Sequence, residues 1–382
     1  MGSRGGETLK KRPYGGLLER GRADIIDIEG SRVKTSRITT SLCTIAALAA
    51  LFTGNYAPAS PGIAGADVLK IPVEARGWGL GQAYSVIGDD ASCMMYNPAG
   101  LCLSSERQLQ FTHLSMLEGT YHESLLAALP LARWGSAGVL FNYRGMPEIN
   151  NGTYTEDPPV TVYDTVLGGY LSFRFSHLMP GVRMVSPLSV GLGIKKVWMT
   201  ILPVTQDSGA VGAVALDWGF LLQLDPFRIG LSGQNFGGGF KFPGGAEGES
   251  DPLPSTMHFA LGAIPFEDAG NFLIVAIEDA SYVGVSTKQK EGDGYRKISE
   301  SLNTFSIGAE YWRLKKMGVR FGYTIPWGPE KSSYAGAQGI SVGGSVRIFS
   351  DWLTYQIDIA YRPYHIGADR QDAFSLSLGI KF

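Results

Sequence analysis

The sequence predicts an all-β chain: a closed antiparallel transmembrane β-barrel of about 14 strands with an N-terminal hatch inside the lumen. Three observations carry this. From residue 106 onward the chain breaks into short segments in which side chains alternate with period 2, separated by Gly, Pro, Asn and Asp clusters. In the clearest segments one face is wholly apolar while the other is small or polar. After residue 66 no apolar run approaches the ~18 residues a membrane-crossing helix needs.

Composition agrees. The 382 residues include 51 glycines, aromatics reach 11% and charged residues only 18%, below the roughly 25% of soluble domains. A formal net charge of -2 argues against a nucleic-acid partner. The one helix-like apolar run, Leu42 to Phe52, follows Arg32, Lys34 and Arg37 and precedes small residues and prolines. That is the layout of a secretory signal peptide, with Ala64-Gly65-Ala66 or Ala57-Pro58-Ala59 as the cleavage site. Residues 1–66 therefore read as leader and signal peptide, 67–105 as the hatch and 106–382 as the barrel. Residues 1–32 are unusually long and polar for a leader, so the true start is expected near Val33.

The last four segments define the faces. Phe374, Leu376, Leu378, Ile380 and Phe382 oppose Ser375, Ser377, Gly379 and Lys381; Leu353, Tyr355, Ile357, Ile359 and Tyr361 oppose Thr354, Gln356, Asp358 and Ala360. Ile340, Val342, Val346 and Ile348 oppose Ser341, Gly343, Ser345 and Arg347, and Val319, Phe321, Tyr323 and Ile325 oppose Arg320, Gly322 and Thr324. A soluble sandwich also alternates, but its polar face meets water and is rich in Lys and Glu. A barrel in lipid turns its apolar face outward and its small or polar face to the lumen, and must close because lipid cannot satisfy an open edge. Fourteen candidates follow: 106–115, 121–130, 135–143, 163–174, 188–199, 212–223, 226–235, 256–264, 271–279, 303–314, 317–326, 339–349, 352–362 and 371–382. The segment 271–279 is apolar on both faces, as a strand covering interior protein as well as lipid would be. Tyr143, Trp198, Trp218, Tyr311, Trp312, Tyr323, Trp327, Trp352 and Tyr361 lie near strand ends and read as headgroup-level girdles. Connections divide into tight turns near 224–226, 316 and 350–351 and long loops at 144–162, 236–255, 280–302 and 327–338.

Residues 67–105 do not read as strand. Gly77, Gly79, Gly81, Gly88 and Gly100 punctuate them, and Asp89-Asp90 before Ala91-Ser92 has the form of a helix N-cap. A wide barrel cannot fill its lumen with its own side chains, so this segment is expected inside it. Cys93 and Cys102, nine residues apart, allow either a disulfide bridge or two free buried thiols. Cys43 falls in the signal segment.

The ordered set Leu69 to Gly77, Gly79-Leu80-Gly81-Gln82-Ala83-Tyr84, Asp89-Asp90-Ala91-Ser92 and Tyr96-Asn97-Pro98-Ala99-Gly100-Leu101 resembles the PorV/PorQ-like branch of the FadL outer-membrane family. The resemblance implies a barrel with an N-terminal hatch that passes long-chain fatty acids or other hydrophobic small molecules by passive diffusion. It places the chain in the outer membrane of a diderm bacterium, among outer-membrane lipid. It further implies recognition by the barrel assembly machinery through the last strand, which ends in Phe382. Cys93 and Cys102 depart from the pattern, which has apolar or small residues there. PorV-like relatives instead act as adaptors in protein secretion, binding protein partners, and that role is the alternative.

Asn97, Pro98 and Gly100 read as hatch geometry, with Asn capping a turn, Pro fixing φ and Gly permitting positive φ. Arg320, Arg347 and Arg362 face the lumen, where each could hold a substrate carboxylate or pair with Asp358 or Glu310. Catalysis is not expected. The five histidines (113, 122, 177, 258 and 365) are scattered, and no nucleophile triad, metal-ligand spacing or phosphate loop emerges, so neither a metal nor a cofactor is implied.

Overall fold

The computed structural model describes residues 65–116, 119–132, 135–148, 159–178, 187–203, 209–241, 250–283, 286–291, 294–299, 303–327, 339–366 and 369–382. The signal segment, the alternative start near residue 33 and Cys43 lie outside the described residues, as do parts of the long loops.

Sixteen strands follow residue 107 among the described residues. They are β1 (Gln108–Ser115), β2 (Tyr121–Pro130), β3 (Ser136–Gly145), β4 (Thr161–Arg174), β5 (Leu188–Leu202), β6 (Ala210–Leu224), β7 (Phe227–Gly237) and β8 (Thr256–Glu267). Then come β9 (Phe272–Tyr282), β10 (Ser286–Glu291), β11 (Gly294–Ser299), β12 (Asn303–Arg313), β13 (Met317–Trp327), β14 (Gly339–Phe349), β15 (Thr354–Ile366) and β16 (Asp369–Lys381). Fourteen close into one antiparallel barrel in the order β1-β16-β15-β14-β13-β12-β9-β8-β7-β6-β5-β4-β3-β2. The remaining two, β10 and β11, pair only with each other. The stretch expected as a plain loop over 280–302 thus carries a hairpin of its own.

Closure depends on the C-terminal strand. β16 pairs with β1 from Gln108↔Lys381 to Ser115↔Phe374. Beyond the strand ends, Arg107 and Phe382 exchange two backbone hydrogen bonds of 3.0 Å. The terminal Phe382 therefore completes the seam and leaves no edge open to lipid.

The two faces divide as the alternation requires. Leu192, Ile194, Val319, Phe321, Ile359 and Leu376 belong to an exposed apolar belt, while Ser124, Asp164, Ser172, Asp217, Glu310, Ser345 and Asp358 are buried. A belt this continuous suits hydrocarbon and not water. β9 shows why its segment is apolar on both faces: Val275 and Ile277 are exposed outside, whereas Ile274 and Ala276 pack in the interior core.

One girdle assignment needs correction. Trp312 is fully buried and faces the lumen, because it lies two residues from inward-facing Glu310 on β12. Its ring packs on Phe272 and lies 3.8 Å beneath the Arg347 guanidinium. Its indole is thus a floor for a lumen cation rather than an anchor at the headgroups.

Candidate functional site

Residues 65–104 occupy the lumen, and their geometry follows from local sequence. The short helix α1 (Ala75–Gly79) starts at Glu74, whose carboxylate accepts from Gly77 N at 2.7 Å. Asp90 caps the 3₁₀ turn Ala91–Met95 by accepting from Ser92 N at 3.0 Å. Asn97 caps a second 3₁₀ turn, Pro98–Leu103, accepting from Ala99 N at 3.1 Å with Pro98 at its first position. Each cap satisfies donors that the start of a helix leaves open.

Gly100 has a reason other than the expected one. Its φ is not positive; a Cβ there would instead meet Gly88 O and Cys93. Close approach between turns, not backbone handedness, demands glycine at this position.

The wall grips this segment from many strands. Ser375 Oγ donates to Val73 O at 2.9 Å, and Ala75 N donates to Ser377 Oγ at 3.0 Å. Thr324 Oγ1 donates to Gly81 O at 2.8 Å. Glu278 of β9 accepts from Tyr84 N, Ser85 N and Ser85 Oγ at 2.7–2.9 Å. Ser232 and Gln234 of β7 both donate to Tyr96 O, and Asn97 Nδ2 donates to Phe220 O of β6 at 3.1 Å. These partners lie on the small and polar face of the barrel, so that face is polar because it binds backbone. At Gly322 a Cβ would collide with Gly81 N and Leu80 C; glycine here lets the two main chains touch.

The centre of the site is an ion-pair clasp. Arg76 on α1 forms a two-pronged contact with Glu310 of β12, Nε to Oε1 at 2.9 Å and Nη2 to Oε2 at 2.7 Å. Its Nη1 reaches Asp90 at 3.0 Å and also Asp89, and the Tyr84 hydroxyl donates to Asp90 at 2.8 Å. Glu310 in turn holds Arg320 of β13 at 2.6 Å, and Arg320 reaches Asp358 of β15 at 3.0 Å. Arg76, Asp90, Glu310, Arg320 and Asp358 are buried, and charges so placed are tolerable only when paired and hydrogen-bonded in this way, whereas Asp89 is partly exposed at the edge of the clasp. Burial acts against the Asp89 carboxylate, but Arg76, with Lys381 and Arg347 behind it, holds it well below the usual carboxylate range. Glu74, without a cation in contact, goes the other way: burial pushes its carboxyl up to about 8.

The three candidate arginines therefore separate. Arg320 is committed to two carboxylates of the protein itself. Arg362 is buried with its guanidinium 5.9 Å from the Trp78 ring centroid. Arg347 donates to Gln356 at 2.7 Å and caps Trp312. Cys93 and Cys102 are free thiols, so the bridge their spacing allowed is absent. Cys102 Sγ lies 2.9 Å from Ser172 Oγ on the wall, and burial pushes both thiols up. Sequence reasoning missed Arg76. A charge inside a glycine-rich segment bound for a lumen needs a carboxylate partner, and that requirement was its available signal.

On the other side of the lumen the wall's hydrogen bonds to the segment are joined by apolar packing. Met94, Met95 and Leu101 belong to one buried cluster with Val166, Tyr170, Val197, Ala213 and Ala215 of the wall. The class of molecule is thus defined: a closed 14-stranded barrel with an apolar outside and a lumen occupied by its own N-terminal segment.

No family model matches the chain, and no curated protein matches it in sequence. Solved structures share its fold. A FadL homologue from Pseudomonas aeruginosa is 12% identical with a TM-score of 0.50, covering 82% of this chain and 98% of that one. The toluene transporter TbuX of Ralstonia pickettii is 12% identical at a TM-score of 0.53, with 81% and 97% covered. The monoaromatic hydrocarbon channel CymD is 15% identical at 0.52, again covering 81% and 97%. The barrel is of FadL type; at these identities the likeness is one of fold.

Proposed function

We propose that the chain is an outer-membrane channel for hydrophobic small molecules, with residues 67–105 as its hatch. The observation that carries this reading is the lumen itself. A segment held on one side by a breakable ion-pair clasp and on the other by apolar packing can yield to an apolar ligand without opening the wall. The fold supports it, since TbuX is described as a toluene transporter and CymD as a monoaromatic hydrocarbon channel. The motif resemblance over 67–105 favours the PorV/PorQ-like branch and long-chain fatty acids as substrate. Each buried methylene contributes about 0.8 kcal/mol, so an acyl chain gains affinity without elaborate polar contacts. Passage is passive and needs neither cofactor nor catalysis.

The test is uptake of labelled toluene and labelled fatty acid by cells lacking their own hydrophobic channels, with and without this chain. Uptake of either above the empty control supports the channel. Equal uptake in both, together with recovery of secretion-machine subunits on the purified barrel, would replace it with the adaptor role.

A further inference from the structure

The outer face of the wall is recessed beside the closing seam. On β1 to β3, small and large outward residues stand next to one another: Ala127 lies between Leu109 and Val139, and Ala137 is paired with Leu129. Ala127 and Ala137 are diagonal neighbours across β2 and β3, so the two make one continuous dent. The resulting groove holds about 530 Å³, within the roughly 300–1,000 Å³ that takes one small amphiphile. Leu109, Leu129, Val139 and Phe382 stand around it, each 43–54% exposed.

Arg107 lies at the groove's end, two positions before Leu109 and on the same outward parity. Its main chain is fixed by the two 3.0 Å hydrogen bonds with Phe382. The residue is exposed, and among the described residues no carboxylate is within ion-pair distance of it. Neither the adjacent Glu106 nor the terminal carboxylate of Phe382 pairs with it. This rim carries the short connections, such as 131–135 and 225–226, and is the periplasmic side of a barrel built this way. An arginine here lays its stem on apolar surface and its head among the lipid headgroups, where its planar fork matches a phosphate.

Farther along β1 the outer face turns polar early. His113 pairs with Glu123 of β2 at 2.7 Å on the outward parity. The apolar band of β1 is therefore Leu109 and Phe111, whereas β16 beside it presents Phe374, Leu376, Leu378 and Phe382. A short band makes the bilayer thin beside it, which draws headgroups toward the level of the groove.

We propose that this groove is a binding site for one phospholipid of the periplasmic leaflet. Its acyl chain would lie in the dent over Ala127 and Ala137, and its phosphate on Arg107. The site rests on the membrane placement of the barrel and not on what the lumen passes. A lipid suits it better than a second copy of the chain, because the charge at the groove's end is positive and unmatched.

The experiment offers the full chain, folded in a non-ionic detergent and checked by heat-modifiable mobility, either dimyristoylphosphatidylglycerol or dimyristoylglycerol. The two share their tails and differ in the phosphate headgroup, and native mass spectrometry counts the lipid kept per barrel. One phospholipid should be retained, on the order of tenfold better than the diacylglycerol. R107Q should bring the two lipids to parity while leaving the seam intact, since the seam uses the main chain of residue 107. The A127F/A137F double variant fills the dent and should lose both lipids; A137F alone serves if the double variant does not fold. A wild type that keeps no lipid, or several lipids insensitive to every variant, or a dimer in place of a lipid adduct, would overturn the site. A chain that reaches the same barrel without detergent would overturn the membrane placement itself.

Discussion

The lumen segment is held differently by the two sides of the barrel. Against β12 to β16 it is clasped by charges: Arg76 to Glu310, Glu310 to Arg320, Arg320 to Asp358. Against β3 to β8 it is packed, with Met94, Met95 and Leu101 among Val166, Val197 and Ala213. Apolar packing degrades gradually, because each lost methylene removes a fraction of the whole. An ion-pair clasp does not, because removing one partner strands the other in low dielectric. The charged side is therefore the one on which loss of a single partner has the larger effect on the segment, and the packed side the one on which losses are graded.

The largest expected effect breaks the clasp. Glu310→Gln leaves Arg76 and Arg320 buried without the carboxylate they share, at a cost of about 3–5 kcal/mol. Hydrogen exchange should rise over residues 72–90 while the strands stay protected. Uniform protection would show that the clasp does not hold the segment.

A pH effect comes next. The Glu74 carboxyl is raised from 4.5 to about 8, so below 8 the docked segment binds a proton that the released segment gives up above 4.5. The stability this group contributes is full below pH 4.5 and is lost as pH rises towards 8. Exchange of the segment should quicken across that window, and Glu74→Gln should flatten the dependence. A slope of the opposite sign would mean that Glu74 is docked as the anion.

On the packed side, Leu101→Ala should cost about 2–3 kcal/mol, and the loss should appear as faster exchange in 91–103 with 72–90 little changed. Coupled loss of both regions would show that the segment moves as one piece.

The outside of the molecule was legible from sequence because one physical demand, apolar residues toward lipid at period 2, repeats on every strand. Fourteen barrel strands were expected and fourteen are present. The inside was legible only where the demand is local. Asp90 and Asn97 cap turns that begin one residue later, so both could be read. Arg76 and Glu310 are 234 positions apart, and nothing local connects them. Trp312 was misplaced because its residue type suggested a girdle, whereas its parity with Glu310 already set it inside. The β10–β11 hairpin was hidden by polar residues such as Lys288, Gln289, Lys290 and Arg296, which carry no apolar face to betray a strand.

The smallest expected effect sharpens the packed side further. If Cys93 and Cys102 were bridged, the second 3₁₀ turn would be locked, and losing the bridge would cost about 2–5 kcal/mol. As free thiols they are only packing atoms. Cys102 is half-buried with its sulfur beside the Ser172 hydroxyl, and a serine at 102 can keep that contact as an ordinary hydrogen bond. Cys102→Ser should therefore change the melting free energy by less than about 1 kcal/mol, and reductant should leave the wild-type barrel unchanged. Thiol labelling of the unfolded chain without reductant should modify both positions, whereas a wild type that labels only after reduction would establish the bridge. The turn around Asn97 is then held by its cap and its fit to the wall rather than by a covalent lock.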